Sequence, residues 1–280
     1  MEHFVIYTNL HKDKNMTVTN RIRDYLLGHG KRCAVRAKEL RAEPDDFVLP
    51  LDVDCMIVLG GDGTMLQAAW DVKKRNIPLI GVNLGTLGYM TEIELSGLEE
   101  SLDRLMEGRF SIESRMMLHG IVLCGGQKVE DWALNDIVIS RRGSLQIIKF
   151  NILVNGQFLN DYNADGVIIT TPTGSTGYNL SAGGPIVEPK ARLIMITPIC
   201  PHTLNQRSII LSPEDVIEIE IPEGREGRDQ LVEVNFDGSH MIPVKTGDRI
   251  RIARSEKTTD FILLNQVSFL EVLHKKMSES

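Results

Sequence analysis

From Cys55 to Leu59 the chain reads Cys-Met-Ile-Val-Leu, with no polar side chain, and the run stops at Gly60-Gly61. A strand apolar on both faces has to be covered on both faces. That is the condition of a strand inside a parallel sheet flanked by helices. The neighbouring sequence follows the same constraint. Residues 3–8, 31–36 and 77–82 read as further strands, and 64–75 and 98–106 as helices. Residues 17–29 place Val18, Ile22, Tyr25 and Leu26 at helical spacing before Gly28 and Gly30 supply a stop. Repeated β-α-β patterning implies an open sheet with helices on both faces.

Beyond about residue 110 the pattern changes. β-rich runs at 120–123, 135–140, 147–154, 166–171, 193–197, 216–221, 231–237 and 249–254 are separated by Gly, Pro, Asn and Asp turns. Asn155-Gly156 is a strong hairpin signal, and Asp237-Gly238 is another. Such spacing suggests a β-sandwich or a stacked β-solenoid. The expected division is an α/β domain over 1–115 with 266–280, the tail returning to it through a helix at 269–277, and a β-sandwich over 116–265. A cleft between two such domains is a common ligand site.

A chain of 280 residues is long enough for two hydrophobic cores. Its net charge of −7 and lack of a basic stripe exclude duplex nucleic acid as the main partner. No apolar run approaches the roughly 18 residues that span a bilayer, and the N-terminus lacks a signal-peptide pattern. A cytoplasmic protein without a membrane partner is therefore expected. Cys33, Cys55, Cys124 and Cys200 are scattered, and the histidines form no ligand pair, so no protein-held metal site is expected.

Gly60-Gly61-Asp62-Gly63-Thr64 lies between a buried strand and a helix. It is either a tight turn with a capping Asp62 or a phosphate-binding loop. Glycines let phosphate oxygens approach the backbone, and the helix start offers free N–H groups. An acid in such a loop repels phosphate unless it holds a metal ion or takes a proton, which suits phosphoryl transfer. No G-x-x-x-x-G-K-[ST] occurs, and the stretch from Gly81 to Gly88 has the wrong spacing for a dinucleotide-binding G-x-G-x-x-G. Residues 170–185, rich in Thr, Gly, Ser and Pro, are either a linker or a cradle of neutral donors, with Tyr178 placed to pack on a ring. Taken alone, Asn135-Asp136 and Asn163-Ala164-Asp165-Gly166 are each more simply read as a turn than as a site. His202 reads as structural. Asp237 could rival Asp62 as a proton acceptor, though its hairpin position is the simpler explanation.

In order and separation, Gly-Gly-Asp-Gly-Thr at 60–64, the Asn-acid pair at 135–136, Ala-Asp-Gly at 164–166 and Thr-Pro-Thr-Gly-Ser-Thr-Gly-Tyr at 171–178 resemble the NAD kinase family over nearly the whole chain. The first of these motifs is shared with lipid kinases, whereas the last is far more specific. The resemblance implies phosphoryl transfer from ATP, or polyphosphate, to the 2′-hydroxyl of the adenosine ribose of NAD, with Mg²⁺ accompanying ATP. It implies that Asp62 accepts or orients the hydroxyl proton, and that Gly60, Gly61, Gly63 and Thr64 cradle phosphates. Asn135 would meet the adenine and Asp136 the ribose hydroxyls. Asp165, Thr173, Gly174, Ser175, Thr176, Gly177, Tyr178 and Ser181 would complete the dinucleotide pocket. A Rossmann-like α/β domain, a β-sandwich domain and a homodimer or homotetramer are also implied. Two positions depart from many relatives: Asp136 replaces Glu and Gly177 replaces Ala. Two rival readings remain. One is a kinase acting on a lipid headgroup or sugar, and the other a dinucleotide sensor without catalysis.

Overall fold

The structure, a computed structural model, describes residues 1–38, 47–85, 88–143, 147–202, 207–265 and 268–278. Thr86 and Leu87, within the stretch weighed above as a dinucleotide fingerprint, lie outside the described residues. The chain divides into two compact units, Met1–Ser114 with Thr259–Ser280, and Arg115–Thr258.

The first unit begins β1 (His3–Asn9), α1 (Thr17–Gly28), β2 (Arg32–Lys38), β3 (Cys55–Gly60), α2 (Asp62–Val72), β4 (Leu79–Asn83) and α3 (Leu98–Met106). Its strands run parallel in the order β2-β1-β3-β4. β1 and β3 are buried along their whole length, as the apolar run of β3 and the apolar centre of β1 (Phe4 to Tyr7) require. Phe4, Ile6, Ile57 and Leu59 pack on one face with Ile22 and Leu26 of α1 and Leu98, Leu102 and Leu105 of α3. Met65, Ala68, Ala69 and Val72 are the buried apolar residues of α2, on the other face. A β-carbon at Gly81 would lie 2.9 Å from the Met65 sulfur, so glycine there lets α2 close onto β4.

The chain moves from β1 to β2 on one side and then returns to β3 on the other. The strand order therefore reverses between β1 and β3, and ligands of open α/β sheets bind beyond the carboxyl ends of strands at such a reversal. α2 starts at Asp62, two residues before the expected 64, because the extended Gly61 serves as its N-cap. The C-terminal segment returns to this unit. Phe261 pairs with Leu79, and Ile262 and Leu264 join the core. Glu92 accepts the N–H groups of Leu264 and Asn265 at 3.0 and 2.6 Å. The final helix, Phe269–Ser278, brings the Phe269 ring 6.0 Å from that of Tyr89.

The second unit is built from antiparallel strands. The elements are β5 (Ser111–Cys124), β6 (Gln127–Ala133), β7 (Asp136–Arg141), β8 (Ile148–Val154), β9 (Gln157–Ala164), β10 (Gly166–Thr170), β11 (Ile194–Ile199), β12 (Ile209–Leu211), β13 (Ile217–Glu220), β14 (Leu231–Phe236), β15 (His240–Lys245) and β16 (Arg249–Leu263). One sheet runs β12-β11-β10-β7-β14-β15. Facing it are β16, β13, β8 and β9 in sequence, and the β5–β6 hairpin. Ile137, Ile139, Val167, Ile169, Val234 and Phe236 from the first sheet share a core with Phe150, Ile152, Tyr162, Ile217, Ile219 and Ile250 from the second. This is a β-sandwich, not a solenoid. Each of these side chains contributes roughly 1.5–3 kcal/mol by leaving water.

Both expected hairpin turns have positive φ at their two central residues, 52° and 75° at Asn155-Gly156 and 49° and 68° at Asp237-Gly238. That is the type I′ geometry that matches strand twist. β6, β9, β12 and β15 have no counterpart in the sequence reading, and β16 extends past residue 254 to Leu263.

Candidate active site

In the first unit, β3 runs into the N-terminus of α2 through Gly60 and Gly61. A β-carbon at Gly60 would lie 2.2 Å from Thr64 Oγ1, so glycine is required there by internal packing. Thr64 is buried, and its hydroxyl accepts from Asn9 Nδ2 at 3.1 Å. Gly61 and Gly63 are different. A β-carbon at either would meet nothing within 4 Å, and neither has a positive φ. Glycine at position 63, in the first helical turn, is unfavourable by about 0.5–1 kcal/mol relative to alanine. The open space in front of these two residues, together with the unpaired first N–H groups of α2, suits an anion that approaches the backbone closely.

Asp62 is not a side-chain cap; that position belongs to Gly61. The half-buried Asp62 carboxylate instead reaches the segment after β4, where its two oxygens accept the N–H groups of Tyr89 and Met90, each at 2.9 Å. A β-carbon at Gly88 would lie 2.3 Å from Asp62 Oδ1 and 3.0 Å from Thr91 Oγ1, so glycine at 88 makes room for the carboxylate. A carboxylate has about four acceptor positions, and two remain. Beside this loop, a β-carbon at Gly85 would lie 3.4 Å from the Lys12 ammonium.

In the second unit the Asn-acid pair lies where the chain enters β7. Asn135 is buried, and its Oδ1 has no hydrogen-bond partner among the described residues. Its backbone carbonyl accepts from Thr170 Oγ1 and the Thr171 N–H, both at 2.9 Å. Gly174 fits against that carbonyl, since a β-carbon there would lie 2.4 Å from it. A β-carbon at Gly177 would come 3.3 Å from Asn135 Nδ2, so the missing methyl leaves space beside that amide. Thr173 Oγ1 is a second buried atom without a partner among the described residues.

Asp136 is 6% exposed, and no donor reaches its carboxylate among the described residues. Burial, reinforced by the nearby Asp237 charge, pushes its pKa up to about 8. Asp237 occupies the β14–β15 turn, yet its carboxylate turns inward. It accepts the Leu134 N–H at 2.7 Å on Oδ2, and the Asn135 and Asp136 N–H groups at 2.8 and 3.0 Å on Oδ1. Desolvation raises it to about 6, against the pull of those three N–H groups.

The Thr-Pro-Thr stretch forms one tight turn at Thr173–Thr176 and a single helical turn at Tyr178–Ser181. Tyr178 stands 47% exposed. Its hydroxyl pKa is raised, first by burial and then by negative charge from its surroundings, Asp136 and Asp165 included. Asp165 is half-buried and paired with Arg141 Nε at 3.1 Å. Thr176 and Gly177 are half-buried and Ser181 is exposed.

Ser175 points the other way: its hydroxyl donates to the Val187 carbonyl and accepts the Val187 N–H, both at 3.1 Å. Asn179, given no role by the sequence reading, holds the loop together. Its Nδ2 donates to the Ser175 and Pro185 carbonyls, and its Oδ1 accepts from Thr197 Oγ1 at 2.7 Å. The structure thus gathers Asn135, Asp136, Thr173, Gly174, Gly177 and Tyr178 in one corner, and turns Ser175 inward. An open cavity of about 760 Å³ elsewhere in this unit is lined by Lys149, Asn163, His202, Arg225 and Gln230 among others, and by none of these site residues.

The described residues contain no group of three or more His, Cys, Asp or Glu suited to a metal ion. Asp62, with two acceptor positions left, offers the single hard oxygen ligand that suits a metal carried by a phosphate substrate.

Comparison with known proteins covers both units. The model of the ATP-NAD kinase N-terminal domain matches residues 47–110, and that of the ATP-NAD kinase C-terminal domain matches 134–264. The NAD kinase of Agathobacter rectalis is 47% identical over 281 residues, covering 99% of this chain and 99% of the relative. That of Lachnospira eligens is 45% identical over 293 residues, with 99% and 100% covered. Among solved structures, an NAD kinase from Archaeoglobus fulgidus in complex with ATP aligns with a TM-score of 0.78 at 26% identity, covering 99% of each chain. Yeast NADH kinase complexed with NADH aligns with a TM-score of 0.84 over 99% of this chain and 88% of its own; at 23% identity that likeness speaks to the fold.

Proposed function

The chain belongs to the NAD kinase family, and from that premise we propose that it transfers the terminal phosphoryl group of ATP to the 2′-hydroxyl of the adenosine ribose of NAD, yielding ADP and NADP. The observation that carries the reading is Asp62 itself. Two backbone N–H groups fix its carboxylate at the start of a helix, between two glycines whose side-chain space is empty.

In this mechanism the ribose O2′ gives its proton to Asp62 as O2′ bonds to the γ-phosphorus. The bond from that phosphorus to the β–γ bridging oxygen breaks, and ADP leaves. The N–H groups of Tyr89 and Met90 hold the Asp62 carboxylate in one orientation, so its remaining acceptor positions need no reorganisation during transfer. The N–H groups at the start of α2 and the space at Gly61 and Gly63 receive phosphate oxygens. A divalent metal such as Mg²⁺, bound with ATP, supplies charge neutralisation at the phosphates, and Asp62 is the residue that would hold it. Thr64 supports the loop through Gly60 and Asn9 and does not itself face phosphate.

The second unit recognises the dinucleotide. Asn135 Oδ1 accepts at the adenine edge, where Thr173 Oγ1 either accepts or donates. Asp136 accepts from ribose hydroxyls, and Tyr178 covers the ring face. Hydroxyl donors are what a buried, donor-free carboxylate lacks, so binding favours its charged form. Family membership also supports a homodimer or homotetramer and a cytoplasmic site of action. No helix among the described residues is long and apolar enough to cross a membrane.

The test is a coupled assay. Purified protein is given NAD, Mg²⁺ and either ATP or polyphosphate, and NADP is read through an NADP-specific dehydrogenase. NADP formation with ATP is expected, and the parallel reaction shows whether polyphosphate also serves. Folded protein that makes no NADP from either donor, but phosphorylates a lipid or sugar, would replace NAD as acceptor.

A further inference from the structure

We propose that Asp237 is a positioning residue for the dinucleotide: its carboxylate gathers three successive backbone N–H groups and so aims Asn135 and Asp136. The inference rests on the function proposed above and adds a residue to it. Four hydrogen bonds define the arrangement. Leu134, Asn135 and Asp136 donate their N–H groups to Asp237, at 2.7, 2.8 and 3.0 Å. The Asp237 N–H returns one to the Asp136 carbonyl at 3.1 Å.

Strand pairing places the acid there. β14 lies beside β7, with Phe236 opposite Ile137 and Asn235 opposite Val138. The type I′ turn at Asp237-Gly238 follows directly, so the turn residue faces the entry of β7. A type I′ turn needs positive φ at this position, and Asn meets that need at least as well as Asp. The turn alone therefore does not call for a carboxylate; the three N–H groups do. Backbone donors take three of its roughly four acceptor positions, against two at Asp62, which leaves Asp237 the poorer placed to take a substrate proton. Asn135 and Asp136 carry the polar groups left unpaired for substrate, and a corner that drifts would misplace both together.

The turn and the carboxylate separate by mutation. Asp237→Asn keeps the turn and the shape but sets an NH₂ group against one of the three N–H groups. Its NAD dissociation constant, measured by calorimetry without donor, should rise about tenfold, the loss expected when misplacing Asn135 and Asp136 forfeits about one hydrogen bond to the dinucleotide. The KM for ATP and kcat at saturating NAD should stay within about twofold, because the loop that carries Asp62 is untouched. Gly238→Ala, which strains the turn at φ 68° and leaves the carboxylate alone, should lower the melting temperature without changing NAD affinity. Three results would overturn the inference: unchanged NAD affinity in Asp237→Asn, a rise in the ATP KM matching that for NAD, or equal loss of NAD affinity in Gly238→Ala. Wild-type protein that neither binds NAD nor makes NADP would instead sink the proposed function.

Discussion

On the proposed function, the loop at 60–64 and the corner at 134–136 would hold a ligand in opposite ways. The loop relies on backbone. Its glycines leave space, its helix start offers N–H groups, and its one acid is already secured by two donors. The corner relies on side chains that have no hydrogen-bond partner among the described residues: Asn135 Oδ1, Thr173 Oγ1 and the Asp136 carboxylate. Phosphate is recognised by any well-placed set of N–H groups, so its site is compatible with ordinary helix geometry. A ribose or base edge needs particular donors and acceptors, and holding them ready without a partner destabilises the free protein.

This difference should appear first at Asp136. Asp136→Asn replaces one carboxylate oxygen by an NH₂ donor and removes the charge that ribose hydroxyls would pair with, so NAD affinity should fall by about tenfold or more. The same change should raise the melting temperature near pH 8. A carboxyl whose pKa is about 8 in the folded protein and near 4 when unfolded destabilises the fold as pH rises between those values, and Asn does not. Because hydroxyl donors favour the charged form, NAD binding at pH 7 should release a proton from the wild type. Calorimetry in buffers of different ionisation enthalpy measures that release. A variant equally tight for NAD, or a melting temperature that falls, would break the contrast.

A smaller effect is expected in the loop. Gly63→Ala places a methyl group where nothing of the protein lies. It should stabilise α2 by about 0.5–1 kcal/mol and lower kcat/KM for ATP, with NAD affinity unchanged. Improved stability with undiminished use of ATP would show that the space is not needed by phosphate. The smallest effect belongs to Ser175. Ser175→Ala removes two internal hydrogen bonds to Val187, so stability should drop by roughly 1 kcal/mol with little change in either KM.

How much of this could be read in the chain follows from the physics of each element. The buried strands β3 and β4 are apolar runs that lead into glycine-bearing loops, and β1 has an apolar centre from Phe4 to Tyr7, so the α/β unit and the position of Asp62 are legible. The sandwich strands that went unread are of another kind. β9 contains Asn160, Asp161 and Asn163, and most of β6 is exposed or half-buried. Neither strand carries the apolar signal of a core strand. Asp237 was read as a turn, and it is one. Its second task depends on β14 pairing with β7, about a hundred residues away, which local sequence does not reveal. Ser175 and Asn179 show the same limit in reverse. In a stretch rich in hydroxyls and amides, nothing local distinguishes a group that faces a ligand from one that ties its own loop, and the partners at Val187, Pro185 and Thr197 decide it.

The division of labour is tested most directly by Asp62→Asn, with turnover and NAD affinity measured on one preparation. A loss of kcat of about a hundredfold to ten-thousandfold is expected, with NAD binding within about twofold of wild type. Near-normal turnover would remove Asp62 from the chemistry, and a parallel collapse of NAD binding would show that the loop and the corner do not divide the work.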